Sequence, residues 1–299
     1  MNTLVIVTGP TGSGKSELAV ELAEALGAEI IGADSRQIFR GIPIGTAVPS
    51  PGLRARVRHH FVEALELGDY YSAALFEEQA LALMNSLWQQ CQYVVMCGGS
   101  MMYIDAVTRG IDPLPTISDD IRARAFAIYE NGGLEALHDT LRKLDPDYLS
   151  TADPFNHRRL IHAIEITLQA RVPCSTLRTG TSKIRPFRTV KLAINHSREQ
   201  LFGRINRRVE QMMELGLEDE ARSVYHLRHL NSLNTVGYKE MFAWFDGIMD
   251  RDTAIARIAK NTRVYAKKQL LWLSKDPSVS LLDPSKPLLS QALSFIKEP

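Results

Sequence analysis

A glycine-rich stretch, Gly9-Pro10-Thr11-Gly12-Ser13-Gly14-Lys15-Ser16, stands between the apolar run Leu4-Val5-Ile6-Val7 and a helical pattern from Glu17 to Leu26. Strand, glycine loop and helix in that order form the context in which such a loop binds phosphate. The glycines let successive backbone N–H groups turn inward around a polyphosphate, and the N-terminus of the next helix meets its charge. Lys15 is expected to add a mobile point charge, and Ser16 to offer its hydroxyl to a Mg²⁺ ion bridging the phosphate oxygens. The segment Gly9 to Ser16 is thus a P-loop for a pyrophosphate or a nucleotide triphosphate such as ATP; the motif does not choose between them.

With 299 residues, 45% of them apolar, the chain can bury a sizeable core and is long enough for one large or two smaller domains. No apolar run approaches the length that crosses a bilayer, and no basic leader precedes the first apolar run. A cytoplasmic protein without membrane contact is expected. Cys91, Cys97 and Cys174 lack paired spacing and are expected to be buried free thiols. His59 and His60 are adjacent, so their side chains point apart on a strand or a helix, and neither they nor the cysteines predict a metal centre.

The formal charge of +1 conceals a division along the chain: residues 151–275 hold 22 Lys/Arg against 12 Asp/Glu, a net +10 that leaves −9 elsewhere. A basic segment of this kind in a near-neutral protein points to a polyanion surface, since clustered Lys and Arg bind phosphate backbones.

Leu4–Thr8, Ile30–Ala33, Tyr93–Cys97 and Val190–Ile194 read as buried parallel strands. Ser16–Leu26 and Ala73–Gln89 read as helices between them, the first ending at Gly27. This alternation predicts an α/β fold, a P-loop NTPase-like parallel sheet flanked by helices. More than ninety residues separate the third strand from the fourth, far too many for a loop. Helix starts at Ser118-Asp119-Asp120 and Asp153-Pro154, with breaks at Gly132-Gly133 and Asp145-Pro146, make this an inserted all-helical subdomain. The predicted organisation is core over residues 1–114, insert over 115–186, and core again over 187–299. The last part carries two long basic helices, Ser197–Leu215 and Asp250–Ser274, around a hinge-like Val236-Gly237-Tyr238-Lys239-Glu240.

Asp34 stands at the end of the second strand and should share a crevice with the P-loop, because ligands bind at the carboxyl ends of parallel strands. It can act as a base toward an attacking group, or cap the helix that follows. The third strand ends in Cys97-Gly98-Gly99-Ser100 and offers no acid for holding Mg²⁺, which argues against nucleotide hydrolysis. Two classes of reaction stay open on these grounds. One is a small-molecule kinase; the other is a transferase whose P-loop holds a pyrophosphate leaving group.

The motifs around the loop are more specific. Gly9 to Ser16, Asp34-Ser35-Arg36-Gln37-Ile38-Phe39-Arg40-Gly41, Ile44-Gly45-Thr46-Ala47, Gly98-Gly99-Ser100-Met101-Met102-Tyr103, Arg204-Ile205-Asn206-Arg207-Arg208, Val236 to Glu240, and Thr262-Arg263 through Lys268-Gln269 to Trp272 resemble, in order, the bacterial tRNA dimethylallyltransferases. The resemblance implies transfer of a dimethylallyl group from its diphosphate to N6 of the adenosine immediately 3′ of the anticodon. It implies that Thr11, Lys15 and Arg208 hold the diphosphate, with Mg²⁺ on Ser16, and that Asp34, Thr11 and Arg208 are the catalytic residues, Asp34 being the base. Contacts to the anticodon stem-loop of tRNA would come from Asp34, Ser35, Arg36, Gln37 and Ser100, and from Arg122, Arg158, Arg159 and His162 in the insert. The enzyme would act as a monomer. A free-nucleotide isopentenyltransferase is the nearer rival reading, and the basic segment favours tRNA.

Three positions depart from the family's usual residues: Ser100 stands for a threonine, Phe39 for a tyrosine and His162 for an arginine. The first keeps its hydroxyl and the second loses a phenol. The third removes a fixed positive charge from the tRNA-contacting stretch.

Overall fold

The computed structural model describes residues 1–297. Six parallel strands form one sheet: β1 (Thr3–Thr8), β2 (Ile30–Gly32), β3 (His59–His60), β4 (Tyr93–Gly98), β5 (Arg188–Ile194) and β6 (Val279–Leu282). Their spatial order is β3-β2-β4-β1-β5-β6. β1 is central and fully buried, and its side chains alternate between two cores as the period of a strand requires. Val5 and Val7 join the cluster with the P-loop helix Lys15–Leu26, whereas Leu4 and Ile6 join the cluster with Phe76, Met84 and Tyr103. The fold is the expected P-loop NTPase-like α/β sheet.

The sequence reading missed β3 and β6, both near the sheet margins. β3 has only two residues, too few to leave a periodic pattern, and β6 mixes half-buried, exposed and buried positions. His59 and His60 do face apart: His59 Nδ1 meets the Val57 carbonyl at 2.8 Å, and His60 Nε2 meets Glu29 Oε2 at 2.6 Å. The thiols are all free, but only Cys174 is buried; Cys91 and Cys97 are half-buried. Among the described residues, no helix is long and apolar enough to cross a membrane.

The chain divides into two compact units, Met1–Thr108 with Ile184–Pro299, and Arg109–Lys183. The second is all-helical and has its own core, in which Ala125, Leu137 and Leu141 of the helix Asp119–Leu144 meet Leu160, Ile164 and Ile166 of the helix His157–Ala170. Its division from the first unit falls at 109 and 183 rather than at the prolines near 115 and 186. The Lys183 N–H donates to the Arg109 carbonyl at 2.7 Å, and Asp112 accepts from Thr179 Oγ1 and the Gly180 amide, so the two ends of the insert close on each other.

The break expected at Gly132-Gly133 is present: Gly133, at φ 62° and ψ −149°, is non-helical and kinks the span Asp119–Leu144 into two helical segments. The next long helix begins at His157 because the Asn156 side chain accepts from the Arg159 amide; Asp153-Pro154 forms the turn before it. In the first unit, the predicted basic helices appear as Arg198–Glu214, capped by Ser197 and Gln200, and Arg251–Leu273, capped by Asp250. Val236–Glu240 is no hinge. The Glu240 carboxylate accepts from the Gly237 amide at 2.8 Å and from Asn261 Nδ2 at 2.7 Å, which starts the helix Tyr238–Phe245 and ties it to the long helix beside it.

Candidate active site

The P-loop turns where its glycines permit it: Gly9, Gly12 and Gly14 have φ of 142°, 80° and 88°. Ser13 Oγ is buried in the loop without a hydrogen-bond partner among the described residues, and a Cβ at Gly9 would lie 3.3 Å from it. An orphaned hydroxyl costs about 1–3 kcal/mol, so a phosphate oxygen here fits what the loop lacks. Two residues brace the loop from outside. Arg204 Nε donates to the Gly12 carbonyl at 2.6 Å, and His196 Nε2 lies 2.8 Å from the Ser13 carbonyl.

Lys15 Nζ lies 3.5 Å from the Pro10 carbonyl, and burial lowers its pKa; the Asp34 and Glu17 charges act the other way, and Arg208 adds to the lowering. Burial also lowers the pKa of Arg208 against the opposing pull of Asp34 and Glu17. Two partly desolvated cations beside a phosphate loop gain most from an anion placed between them. Burial pushes the Cys97 thiol up to about 11 despite the Lys15 charge, so Cys97 remains a neutral neighbour at the end of β4.

Asp34 follows β2, and it caps a turn rather than the helix that the capping alternative expected. Its Oδ1 accepts from the Arg36 amide at 2.9 Å and the Gln37 amide at 3.3 Å, while Oδ2 makes no hydrogen bond among the described residues. The cap fixes the carboxylate and leaves one oxygen for a proton. The neighbours of Asp34 hold the protein itself: Arg36 Nη1 donates to the carbonyls of Asn231 and Ser232, and Gln37 Nε2 to those of Thr46 and Ala47. Ser100 Oγ accepts from the Ser35 amide and donates to Ser35 Oγ.

Thr11, Lys15, Asp34 and Arg208 line one cavity of about 420 Å³. Ile205, Val209, Met212 and Ile258 supply an apolar wall, and Thr262, Tyr265 and Gln269 present one face of the long helix Arg251–Leu273. A second cavity opens outside the loop, where Ser16 meets Arg204, Arg207 and Arg208. Phe39 is buried in the cluster beside Ile38 and Ile42, so a phenol at that position is not needed for packing.

The insert carries the remaining predicted residues. Arg122 is half-buried on the helix Asp119–Leu144; Arg158, Arg159 and His162 are exposed on the helix His157–Ala170. His162 Nδ1 pairs with Glu165 Oε2 at 2.9 Å.

Sequence reading missed Glu220, and it gave Tyr238 and Gln269 no role beyond their motifs. Glu220 accepts from the Ile44 and Gly45 amides, each at 2.8 Å, and from the Tyr238 hydroxyl; a Cβ at Gly45 would fall 2.5 Å from that hydroxyl. The bonds from Glu220 to Ile44 and Gly45 span 176 and 175 positions and leave no local signal. Gln269 had one, the spacing Thr262, Tyr265, Gln269, which places all three on one helical face.

A parallel sheet whose first strand feeds a glycine loop, with two cations, a capped carboxylate and an apolar wall around one cavity, is the architecture of the P-loop NTPase-like class. The sequence model of the IPP transferase family matches residues 37–276, and the chain belongs to that family. It is 48% identical to tRNA dimethylallyltransferase 2 of Parabacteroides distasonis, over 96% of this chain and 96% of that one. It is 50% identical to tRNA dimethylallyltransferase 2 of Porphyromonas gingivalis, over 95% of this chain and 94% of that one. The structure resembles the tRNA isopentenylpyrophosphate transferase of Bacillus halodurans, with a TM-score of 0.72, 32% identity, and coverage of 99% of this chain and 94% of that one. It shares its fold with a eukaryotic dimethylallyltransferase acting on tRNA, with a TM-score of 0.80, 23% identity, and coverage of 98% of this chain and 78% of that one.

Proposed function

We propose that the protein transfers a dimethylallyl group from dimethylallyl diphosphate to N6 of the adenosine immediately 3′ of the anticodon in tRNA. The observation that carries this reading is the single cavity in which phosphate loop, apolar wall and Asp34 meet. A diphosphate seats on Gly9–Ser16 with Lys15, Arg208 and Thr11, and its five-carbon group lies along Ile205, Val209 and Met212. The N6–carbon bond forms as the carbon–oxygen bond to diphosphate breaks, and Asp34 Oδ2 takes the N6 proton. Adenine N6 is a poor nucleophile because its lone pair is delocalised into the ring, so a fixed base and a stabilised leaving group both matter.

Mg²⁺ fits as an ion carried by the diphosphate. Among the described residues no three His, Cys, Asp or Glu gather to hold a metal, and β4 ends in Cys97-Gly98 without an acid. The Ser16 hydroxyl, beside Glu17 in the second cavity, would supply an oxygen ligand, in keeping with the habit of Mg²⁺ to rely on phosphates and water. The ion would offset charge on the departing diphosphate.

The acceptor is tRNA rather than a free nucleotide because the basic residues extend through Arg158 and Arg159 in the insert and along the C-terminal helices. Extruding the base costs a few kcal/mol, roughly, which phosphate contacts on the stem offset. Arg122 and His162 join those contacts, with Asp34, Ser35, Arg36, Gln37 and Ser100 around the base. The protein acts as a cytoplasmic monomer in this reading. Incubation with labelled dimethylallyl diphosphate and either unmodified tRNA or AMP tests it: label is expected in tRNA, and label in AMP alone overturns the assignment.

A further inference from the structure

Gln269 is 3% exposed and sits on the long C-terminal helix, yet both ends of its amide bind the backbone of loops far away in sequence. Oε1 accepts from the Thr11 N–H at 3.2 Å, and Nε2 donates to the Gly99 carbonyl at 2.9 Å. A Cβ on Gly99 would fall 2.3 Å from Nε2, so that position must lack a side chain for the amide to fit. The turn continues into Ser100, whose N–H donates to the Ala33 carbonyl at 3.1 Å and whose hydroxyl accepts from the Ser35 amide at 2.8 Å. One connected path therefore runs from Thr11 in the phosphate loop, through the Gln269 amide, to the two residues that flank Asp34.

We propose that Gln269 is a positioning residue that sets the distance between the donor loop at Thr11 and the acceptor turn beside Asp34. The inference rests on the transfer reaction proposed above. In that reaction the phosphate loop fixes the electrophilic carbon and the acceptor turn fixes the base, and a misplacement of about 1 Å costs on the order of a hundredfold in rate. A side chain that merely fills a buried space would be replaceable by any residue of the same volume. The Gln269 contacts demand an acceptor at one end and a donor at the other.

A double-mutant cycle tests this, using single-turnover prenyl transfer, tRNA affinity and thermal melting. Gln269→Met keeps the volume and removes both bonds; it is expected to lower the transfer rate about ten- to a hundredfold with tRNA affinity unchanged. Thr11→Ala should slow the wild-type enzyme strongly and the Gln269→Met enzyme little further, because the loop has already lost its placement. Gln269→Glu gives an independent readout even if the methionine variant does not fold. Its ionised carboxylate accepts from Thr11 but opposes the Gly99 carbonyl, whereas its protonated form donates again, so its rate relative to wild type should rise as pH is lowered. Additive losses in the cycle, or in the absence of a folded methionine variant a pH-independent ratio for Gln269→Glu, would overturn the role of Gln269. Wild-type protein that fails to label tRNA would instead overturn the reaction.

Discussion

The Ser100 hydroxyl accepts a hydrogen bond from the Ser35 amide at 2.8 Å, joining the turn after β4 to the residue next to Asp34. Ser100 is 8% exposed, so this bond is protected from water. Removing it leaves the half-buried Ser35 N–H without its partner, at about 1 kcal/mol. Ser100→Ala should therefore lower both the melting temperature and turnover, and Ser100→Thr, which keeps the oxygen, should restore both. Equal turnover in the alanine and wild-type enzymes would remove Ser100 from the site.

Asp34 caps its own loop through Oδ1 and has Oδ2 left for chemistry. Asp34→Asn keeps a capping oxygen and cannot take a proton. Turnover should fall by about a hundredfold or more, the scale of a positioned general base, with melting close to wild type. A stable variant with near-normal turnover would leave Asp34 as a cap alone.

Lys15 and Arg208 line the same cavity and are both desolvated. Replacing either with methionine should weaken inhibition by pyrophosphate and slow transfer by about a hundredfold, while tRNA affinity holds. Selective loss of tRNA binding in the Arg208 variant would place that arginine on the RNA.

His162 is the insert's departure from the family, and its Nδ1 faces Glu165. His162→Arg restores a fixed charge and should tighten tRNA binding, steepening its salt dependence by up to about one phosphate equivalent. Identical affinities and slopes across a salt series would show that position 162 does not touch RNA.

Lys191 on β5 and Asp276 form an ion pair at 2.5 Å, 5% and 7% exposed. Burial pushes the Asp276 carboxyl up, but hydrogen bonds from Lys191 and Ser278 with the lysine charge outweigh it and hold the pKa at about 2. A depressed carboxyl pKa stabilises the fold above its unfolded value, near 3.8, and that stability, roughly 2 kcal/mol, is lost as pH falls toward about 2. Asp276→Asn should lower stability at neutral pH and flatten the loss between about pH 4 and 2, as followed by urea denaturation at each pH. An unchanged acid profile would show that the pair contributes nothing there.

The sequence by itself determined the strand-loop-helix of the P-loop, the buried strands β1, β2, β4 and β5, the helical insert and the place of Asp34 at a strand end. Each rests on a local pattern: glycines at fixed spacing, apolar runs between turns, and caps such as Ser72, Ser197 and Asp250. Tertiary structure alone decided how those parts face one another. The Gln269 amide between Thr11 and Gly99, the Glu220 carboxylate under Ile44 and Gly45, and the Lys191 ion pair join residues 85 to 258 positions apart. It also decided that Arg36 and Gln37 hold backbone carbonyls and that Glu240 locks a helix start. A hydrogen bond between distant residues has no periodicity and no composition of its own. It exists only after the hydrophobic faces of the sheet and helices have packed and brought donor and acceptor within about 3 Å of each other.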